Sequence, residues 1–289
     1  MHLGNVWSAL LSWLTAKKDG GEWVLRIEDL DPQRSRREYA EQLMDDLRWL
    51  GLTWDALYWQ SERFAIYQQH LDRLIGKGIV YPCYCTRADI MSTQAPHESD
   101  GRIVYKGTCR PKDMQAPKST KWGDYRTLRL YVPDEEISYT DLHYGPQKVN
   151  LALHCGDFVL QRADGAWAYQ LAVAVDDALM GITHVVRGRD LLLSAPQQIY
   201  VQRLLGYTPP SYCHHPLLLN RQEQRLCKRD KSMDMGELRQ RYQPEELLGL
   251  IAYYAHLIPK PQPLTLEDML SRFSWEHIPT QDITVSESL

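Results

Sequence analysis

Cys83-Tyr84-Cys85, followed by Tyr105 and Cys109, is the densest run of metal-capable side chains in the sequence. Zinc takes four soft or borderline donors, with sulfur at about 2.3 Å, and a C-x-C turn offers two thiolates from one bend. Cys109 follows with Gly107 nearby to allow a turn, which makes three donors. Tyr105, His97 and Cys155 are the candidates for the fourth, and tyrosine is an uncommon ligand because its phenol must ionise. The alternative is a set of thiols packed as small hydrophobes.

Two segments far apart suit a triphosphate. Met1-His2-Leu3-Gly4-Asn5 leads into an apolar-periodic helix, Val6 to Ala16. A helix start offers free N–H groups and the positive end of the dipole to an anion, and glycine permits close approach. Lys228-Arg229-Asp230-Lys231-Ser232 is a K-x-x-K-S loop whose lysines can stabilise charge on a pyrophosphate leaving group. Two strand ends suit an amino acid. Leu25-Arg26-Ile27-Glu28-Asp29-Leu30-Asp31 puts three acids after a short strand, where an α/β sheet faces its ligand crevice, so Glu28 can hold an ammonium. Arg187 in Val185-Val186-Arg187-Gly188 can grip a carboxylate bidentately. Asp31 is equally readable as a cap, and Arg187 as a structural ion-pair partner.

The elements that must carry these groups follow from periodicity. Residues 23–27 read as a strand, Arg36–Leu50 as a helix with Tyr39, Leu43, Leu47 and Leu50 on one face, and Phe64–Ile75 as a second helix closed by Gly76 and Gly78. Ile79–Tyr84 is the next strand, and this alternation predicts a doubly wound α/β sheet. Between about Thr86 and Asn150 the pattern breaks into a Pro-, Gly- and charge-rich stretch with one strand at Thr127–Val132, the mark of an insertion. Asp157–Gln161, Ala168–Val175 (with Tyr169 and Gln170) and Thr183–Val186 read as strands, then Ala195–Leu205 as a helix. From Pro244 onward the chain reads as helical, with a mobile tail after Pro279.

Bulk properties exclude several classes. The 289 residues are 44% hydrophobic and 24% charged, ordinary for a globular protein, and no apolar run reaches membrane-spanning length. No signal-type start is present, so a cytoplasmic protein that does not bind membranes is expected. Six cysteines in such a chain suggest metal or reduced thiols rather than a disulfide scaffold. The net charge of −4 rules out nucleic-acid binding by overall charge, but residues 102–131 are locally basic: Arg102, Lys106, Arg110, Lys112, Lys118, Lys121, Arg126 and Arg129, with Tyr105, Trp122, Tyr125 and Tyr131 interleaved.

An H-x-G helix start paired with a late K-x-x-K-S loop resembles the HIGH and KMSKS motifs of class I aminoacyl-tRNA synthetases. LRIEDLDP (25–32), DFVLQRADGAWAYQLAVAVDD (157–177), VVRGRDLL (185–192), HHPLLLN (214–220) and KRDKS fall in the order of the glutamyl-type members over nearly the whole chain. Length and the C-x-C…Y-x-x-x-C insertion resemble the short glutamyl-Q tRNA(Asp) synthetases, which lack an anticodon-binding domain.

The resemblance implies a Rossmann-like class I catalytic domain with a zinc-binding insertion and a short helical C-terminal part. Residues 1–82 would be its first half, 83–150 the zinc-binding, acceptor-type insertion, 151–220 the second half, and 221–289 the KMSKS-type loop and C-terminal helices. It implies that Glu28, Tyr169 and Arg187 contact glutamate. His2, Gly4, Lys228 and Lys231 would bind ATP, His2 and Lys231 having the catalytic part. Cys83, Cys85, Tyr105 and Cys109 would hold one structural zinc. Magnesium would accompany ATP, and a monomer would transfer glutamate to queuosine in tRNA-Asp. Two departures stand out: Asn5 replaces the second HIGH histidine, and Arg229-Asp230 replaces Met-Ser of KMSKS. The family's first strand, with an Arg-x-Ala-Pro-Ser segment, would precede Met1, which is then an internal methionine of a longer reading frame. The alternatives are a glutamyl-tRNA synthetase charging tRNA-Glu without its anticodon domain, and a non-catalytic tRNA- or glutamate-binding remnant.

Overall fold

The computed structural model describes residues 1–31, 35–92, 104–113, 126–226 and 233–285. In chain order the elements are α1 (Leu3–Lys18), β1 (Val24–Ile27), α2 (Arg37–Trp49), β2 (Ala56–Trp59), α3 (Phe64–Gly76), β3 (Val80–Cys83), α4 (Arg87–Ser92) and β4 (Thr127–Leu130). These are followed by β5 (Glu136–Asp141), β6 (Gly145–Asn150), α5 (Leu151–His154), β7 (Phe158–Gln161), α6 (Tyr169–Leu179), β8 (His184–Gly188) and α7 (Ser194–Leu205). The rest are β9 (Ser211–His215), β10 (Leu218–Leu219), α8 (Met235–Arg241), α9 (Pro244–Tyr254), α10 (Leu266–Arg272) and β11 (Ile283–Thr284).

Helix α1 buries Leu3, Val6, Trp7, Leu10, Leu11 and Leu14, the i, i+3, i+4, i+7 stripe of a helix with one face in a core. That face packs with α2 and the C-terminal helices, including Leu247, Ile251 and Phe273, in one hydrophobic cluster. A second cluster joins α3, α6 and α7 to β4 and β7, through Tyr67, Leu71, Leu128, Leu160, Leu171 and Ile199.

The parallel strands that flank the crevice form two pieces. β1 pairs with β2, and β8 pairs with β9 over Val185↔Tyr212 and Arg187↔His214. The hairpin β5–β6, within the 83–150 stretch, joins the β8–β9 piece through Asp141↔Tyr212. β1 and β8 are each the last strand of their piece. Val24–Glu28, His184–Val186 and the α1 face from Asn5 to Ala16 line one cavity of about 1170 Å³ between them. Among the described residues, no helix is long and apolar enough to cross a membrane.

Three sequence expectations are corrected. The stretch from Thr86 to Asn150, read with one strand at Thr127–Val132, also carries β5 and β6. Ala168–Val175 is not a strand: Tyr169–Leu179 is helix α6, in which every residue from Leu171 to Asp177 is buried. A helix apolar on all sides loses its 3.6-residue signature, and a short apolar run then reads as a strand. The segment after Pro279 is held in place as far as Val285. β11 lies parallel to β10, Leu217 N–H donates to Asp282 at 2.9 Å, and Arg189 grips Asp282 with two bonds of 2.5 Å.

Candidate active site and cysteine cluster

The C-terminal end of β1 delivers Arg26 and Glu28 to the floor of the cavity. Arg26 donates to Asp177 Oδ1 at 2.6 Å and to Glu28 Oε1 at 3.3 Å, so an acid on α6 fixes the guanidinium that braces Glu28. One residue earlier, Asp176 is fully buried and accepts from Gln60 at 2.9 Å, Arg63 at 2.7 Å and the Tyr67 hydroxyl at 2.8 Å. Three donors satisfy that charge, as a buried carboxylate requires. The Glu28 side chain is 42% exposed, open to the cleft but walled by protein. Burial at the cleft floor pushes its carboxyl above the usual range, while the Arg26 and Arg187 charges pull it back. A carboxylate so placed gains by meeting a cation, which fits an ammonium.

Arg187 comes from the adjoining parallel piece, on β8, and is 7% exposed. Its Nε–H donates to His214 Nε2 at 3.1 Å, one Nη to Gln198 Oε1 at 2.8 Å and Tyr169 Oη at 3.4 Å, and the other Nη to Leu191 O at 3.4 Å. The guanidinium lies over the Tyr212 ring, 5.1 Å from its centre. Tyr169, the first residue of α6, has its phenol pushed up by burial, with Arg187 opposing that rise and Glu28 adding to it. Glu28, Tyr169 and Arg187, read from three separate stretches, thus share one electrostatic neighbourhood. A negative group at Glu28 and a positive group at Arg187 complement a zwitterion with its ammonium on one side and a carboxylate on the other.

His2 caps α1, and its own N–H donates to the Asn5 side chain at 3.2 Å. A Cβ on Gly4 would sit 3.1 Å from the His2 ring, so glycine lets the imidazole fold over the first turn of the helix. Asn5 of that turn and Ser8 of the next line the same cavity as Glu28. Lys228 and Lys231, with the rest of the K-x-x-K-S loop, lie outside the described residues, as does His97.

The three thiol sulfurs of Cys83, Cys85 and Cys109 lie within 4.8 Å of one another, Cys85 and Cys109 at 3.5 Å. Tetrahedral thiolates around zinc stand roughly 3.8 Å apart at the usual bond length, so the spacing fits the ion. The Tyr105 hydroxyl is 3.3 Å from Cys83 Sγ and 3.9 Å from Cys85 Sγ, on the same side of the cluster. Burial, then the Cys83 thiol, pushes its phenol up, so a phenolate there needs a cation beside it. Gly156, at φ 63°, passes so close that a Cβ would lie 2.2 Å from Tyr105 O, and the two residues form a β-bridge that fixes the loop. Behind it, buried Asp157 accepts from the Tyr81 hydroxyl, twice from Arg110 at 2.8 Å, and from Val132 N–H at 2.9 Å. Arg110 and Arg129 of the basic segment are therefore occupied within the fold, Arg129 stacking 3.9 Å over the Tyr105 ring. Arg102, Lys118, Lys121, Trp122 and Tyr125 lie outside the described residues.

The family of class I tRNA synthetases (E and Q), catalytic domain, matches residues 1–257. The chain is 45% identical to a glutamyl-Q tRNA(Asp) synthetase of Symbiobacterium thermophilum, covering 99% of this chain and 92% of that protein. It is 43% identical to one of Nitratidesulfovibrio vulgaris, covering 98% and 91%. The chain belongs to the glutamyl-Q tRNA(Asp) synthetase family of class I. A solved glutamate tRNA ligase of Elizabethkingia meningosepticum, in complex with its amino acid, superposes with a TM-score of 0.82 at 26% identity. That match covers 99% of this chain and 65% of the ligase, so the chain spans about two thirds of that protein's length. The expected class I catalytic fold is thereby borne out.

Within this site, sequence reading missed the residues that hold Glu28 and Arg187 in place. Arg26 and Asp177 were visible as charges in otherwise apolar runs, an arrangement that burial tolerates only in pairs. Asp141 and Gln198 carried no such signal.

Proposed function

We propose that this chain activates glutamate with ATP and transfers it to the queuosine base in the anticodon of tRNA-Asp, acting as a monomer in the cytoplasm. The observation that carries the reading is the convergence of Glu28, Tyr169 and Arg187 in one electrostatic neighbourhood, with Glu28 on the cavity that Asn5 and Ser8 of α1 also line. The relatives bearing the glutamyl-Q name are matched over more than nine tenths of their length.

Glu28 receives the ammonium of glutamate, and Arg187, with Tyr169, a carboxylate. The α-carboxylate then attacks the α-phosphorus of ATP in line, forming a C–O–P anhydride and releasing pyrophosphate. His2, Gly4 and the helix start, with Lys228 and Lys231, stabilise charge on the phosphates, magnesium travelling with ATP through phosphate oxygens. In the second step a hydroxyl of the queuosine cyclopentenediol attacks the activated carbonyl. The ester bond forms, the bond to AMP breaks, and the hydroxyl proton leaves. No covalent enzyme intermediate is needed.

Zinc supplies structural cross-linking when held by Cys83, Cys85, Tyr105 and Cys109, since four protein donors leave no open position. Elemental analysis is expected to give one zinc per chain, lost in Cys85→Ser. Full occupancy in that variant would show a different ligand set.

Transfer of radiolabelled glutamate to tRNA tests the whole reading. Labelling of tRNA-Asp is expected only where queuosine is present. Labelling of tRNA-Glu at its 3′ end would instead make the chain an ordinary glutamyl-tRNA synthetase. ATP-independent glutamate binding without transfer would make it a binding remnant.

A further inference from the structure

Arg187 does not orient itself. Its Nε–H is received by His214 Nε2 at 3.1 Å, and His214 Nδ1 stands 2.6 Å from Asp141 Oδ2. Arginine has donors only, so His214 Nε2 must carry a lone pair, and the ring's proton must sit on Nδ1, facing the carboxylate. An imidazolium or the opposite tautomer would set N–H against N–H. Asp141 is itself fixed by three backbone donors. His143 N–H and Tyr144 N–H reach Oδ1 at 3.0 and 2.9 Å, and His214 N–H reaches both oxygens at 3.3 and 3.2 Å. Asp141 and His214 are 1% and 0% exposed, and the His214 ring stacks on Tyr212, which also lies beneath the Arg187 guanidinium.

We propose that Asp141 and His214 are positioning residues for the reaction: the Asp141 carboxylate dictates the His214 tautomer, and that tautomer aims Arg187 at the substrate carboxylate. The inference rests on the reading that Arg187 binds glutamate. It also gives the β5–β6 hairpin a part in amino-acid binding, because Asp141 ends β5 and reaches the site only through His214. Burial lowers the basicity of the His214 ring despite the neighbouring carboxylate, which suits a ring that must stay neutral.

Asp141→Asn is the discriminating change. The asparagine Oδ1 would stay with the three backbone N–H groups, leaving its NH₂ facing His214 Nδ1. That donor forces the ring proton onto Nε2, against Arg187. Nitrogen-15 NMR of histidine-labelled protein is expected to report Nδ1–H at His214 in the wild type and Nε2–H in the variant. In glutamate-dependent ATP–pyrophosphate exchange the variant's KM for glutamate is expected to rise roughly ten- to hundred-fold, the size of one lost hydrogen bond to a charged group. The KM for ATP and kcat should change little.

His214→Gln and His214→Asn carry the test if Asp141→Asn does not fold. Glutamine places an oxygen near the lost Nε2 and is expected to keep the glutamate KM close to wild type, whereas asparagine reaches only the Nδ1 position and should raise it. Equal KM in both, an unchanged KM in an Asp141→Asn protein whose tautomer has inverted, or Nε2–H in the wild type would each overturn the relay. Absence of exchange in the wild type would instead overturn the activity reading, while the NMR comparison still decides the relay.

Discussion

At the scale of single residues, the site is a pair of opposite charges held apart by their own scaffolding. Glu28 leans on Arg26, which leans on Asp177, and Arg187 is held by His214 and Gln198. Neither charge is neutralised by the other, so each keeps capacity for a zwitterion. Arg187→Ala and Glu28→Ala are expected to weaken glutamate use by about 2–4 kcal/mol each, the cost of losing one partner of a desolvated charged contact. Affinity for ATP should be nearly unchanged. Exchange kinetics at varied glutamate and fixed ATP check this, and a wild-type KM in the Arg187 variant would remove that residue from the pocket. Arg187→Lys should rescue poorly, because an ammonium cannot bond His214, Gln198 and a carboxylate in one plane.

At the scale of elements, the most consequential feature is the space between β1 and β8. Both strands are parallel to their single partners, and both turn an outer edge toward the same cavity. Edge N–H and C=O groups in such a place are ready to pair with a further strand, and the α1 face that lines the cavity is mixed, with Asn5, Ser8, Ser12 and Thr15 beside Ala9 and Ala16.

At the scale of the whole molecule, two adjacent buried histidines tie stability to pH. His215 donates from Nδ1 to Pro216 O at 2.8 Å and accepts at Nε2 from the Ser8 hydroxyl at 3.0 Å, so like His214 it is held neutral. Burial pushes its pKa from 6.5 down to about 4, and lowers that of His214 as well. The unfolded chain takes up these protons as pH falls through 6.5, whereas the folded protein does not. The stability they contribute is therefore complete above 6.5 and is lost toward the folded value, by about 1.4 kcal/mol per pH unit for each ring. Asp141, held below the usual carboxylate range by His214 and backbone N–H groups against the effect of burial, adds a further loss at more acid pH. Denaturant melts at graded pH should show the free energy falling between 6.5 and about 4, less steeply in His215→Gln. A flat profile over that interval would show that both rings protonate as freely in the fold as outside it.

Local spacing alone determined much of this protein. The α1 stripe, the C-x-C turn, the charged ends of β1 and β8, and the H-x-G start all depend on neighbours within a few residues, and the chemistry of the side chains limits what such groups can do. Tertiary structure decided the rest, because it concerns which distant residues meet. Ala168–Val175 became a helix through burial on every side, which erases the periodicity that distinguishes helix from strand. The tail was fixed by Arg189 gripping Asp282, 93 residues away in sequence. The setting of Arg187 is decided by His214 and Asp141, on two other strands, and a hydrogen bond across that separation leaves no periodic trace in a sequence.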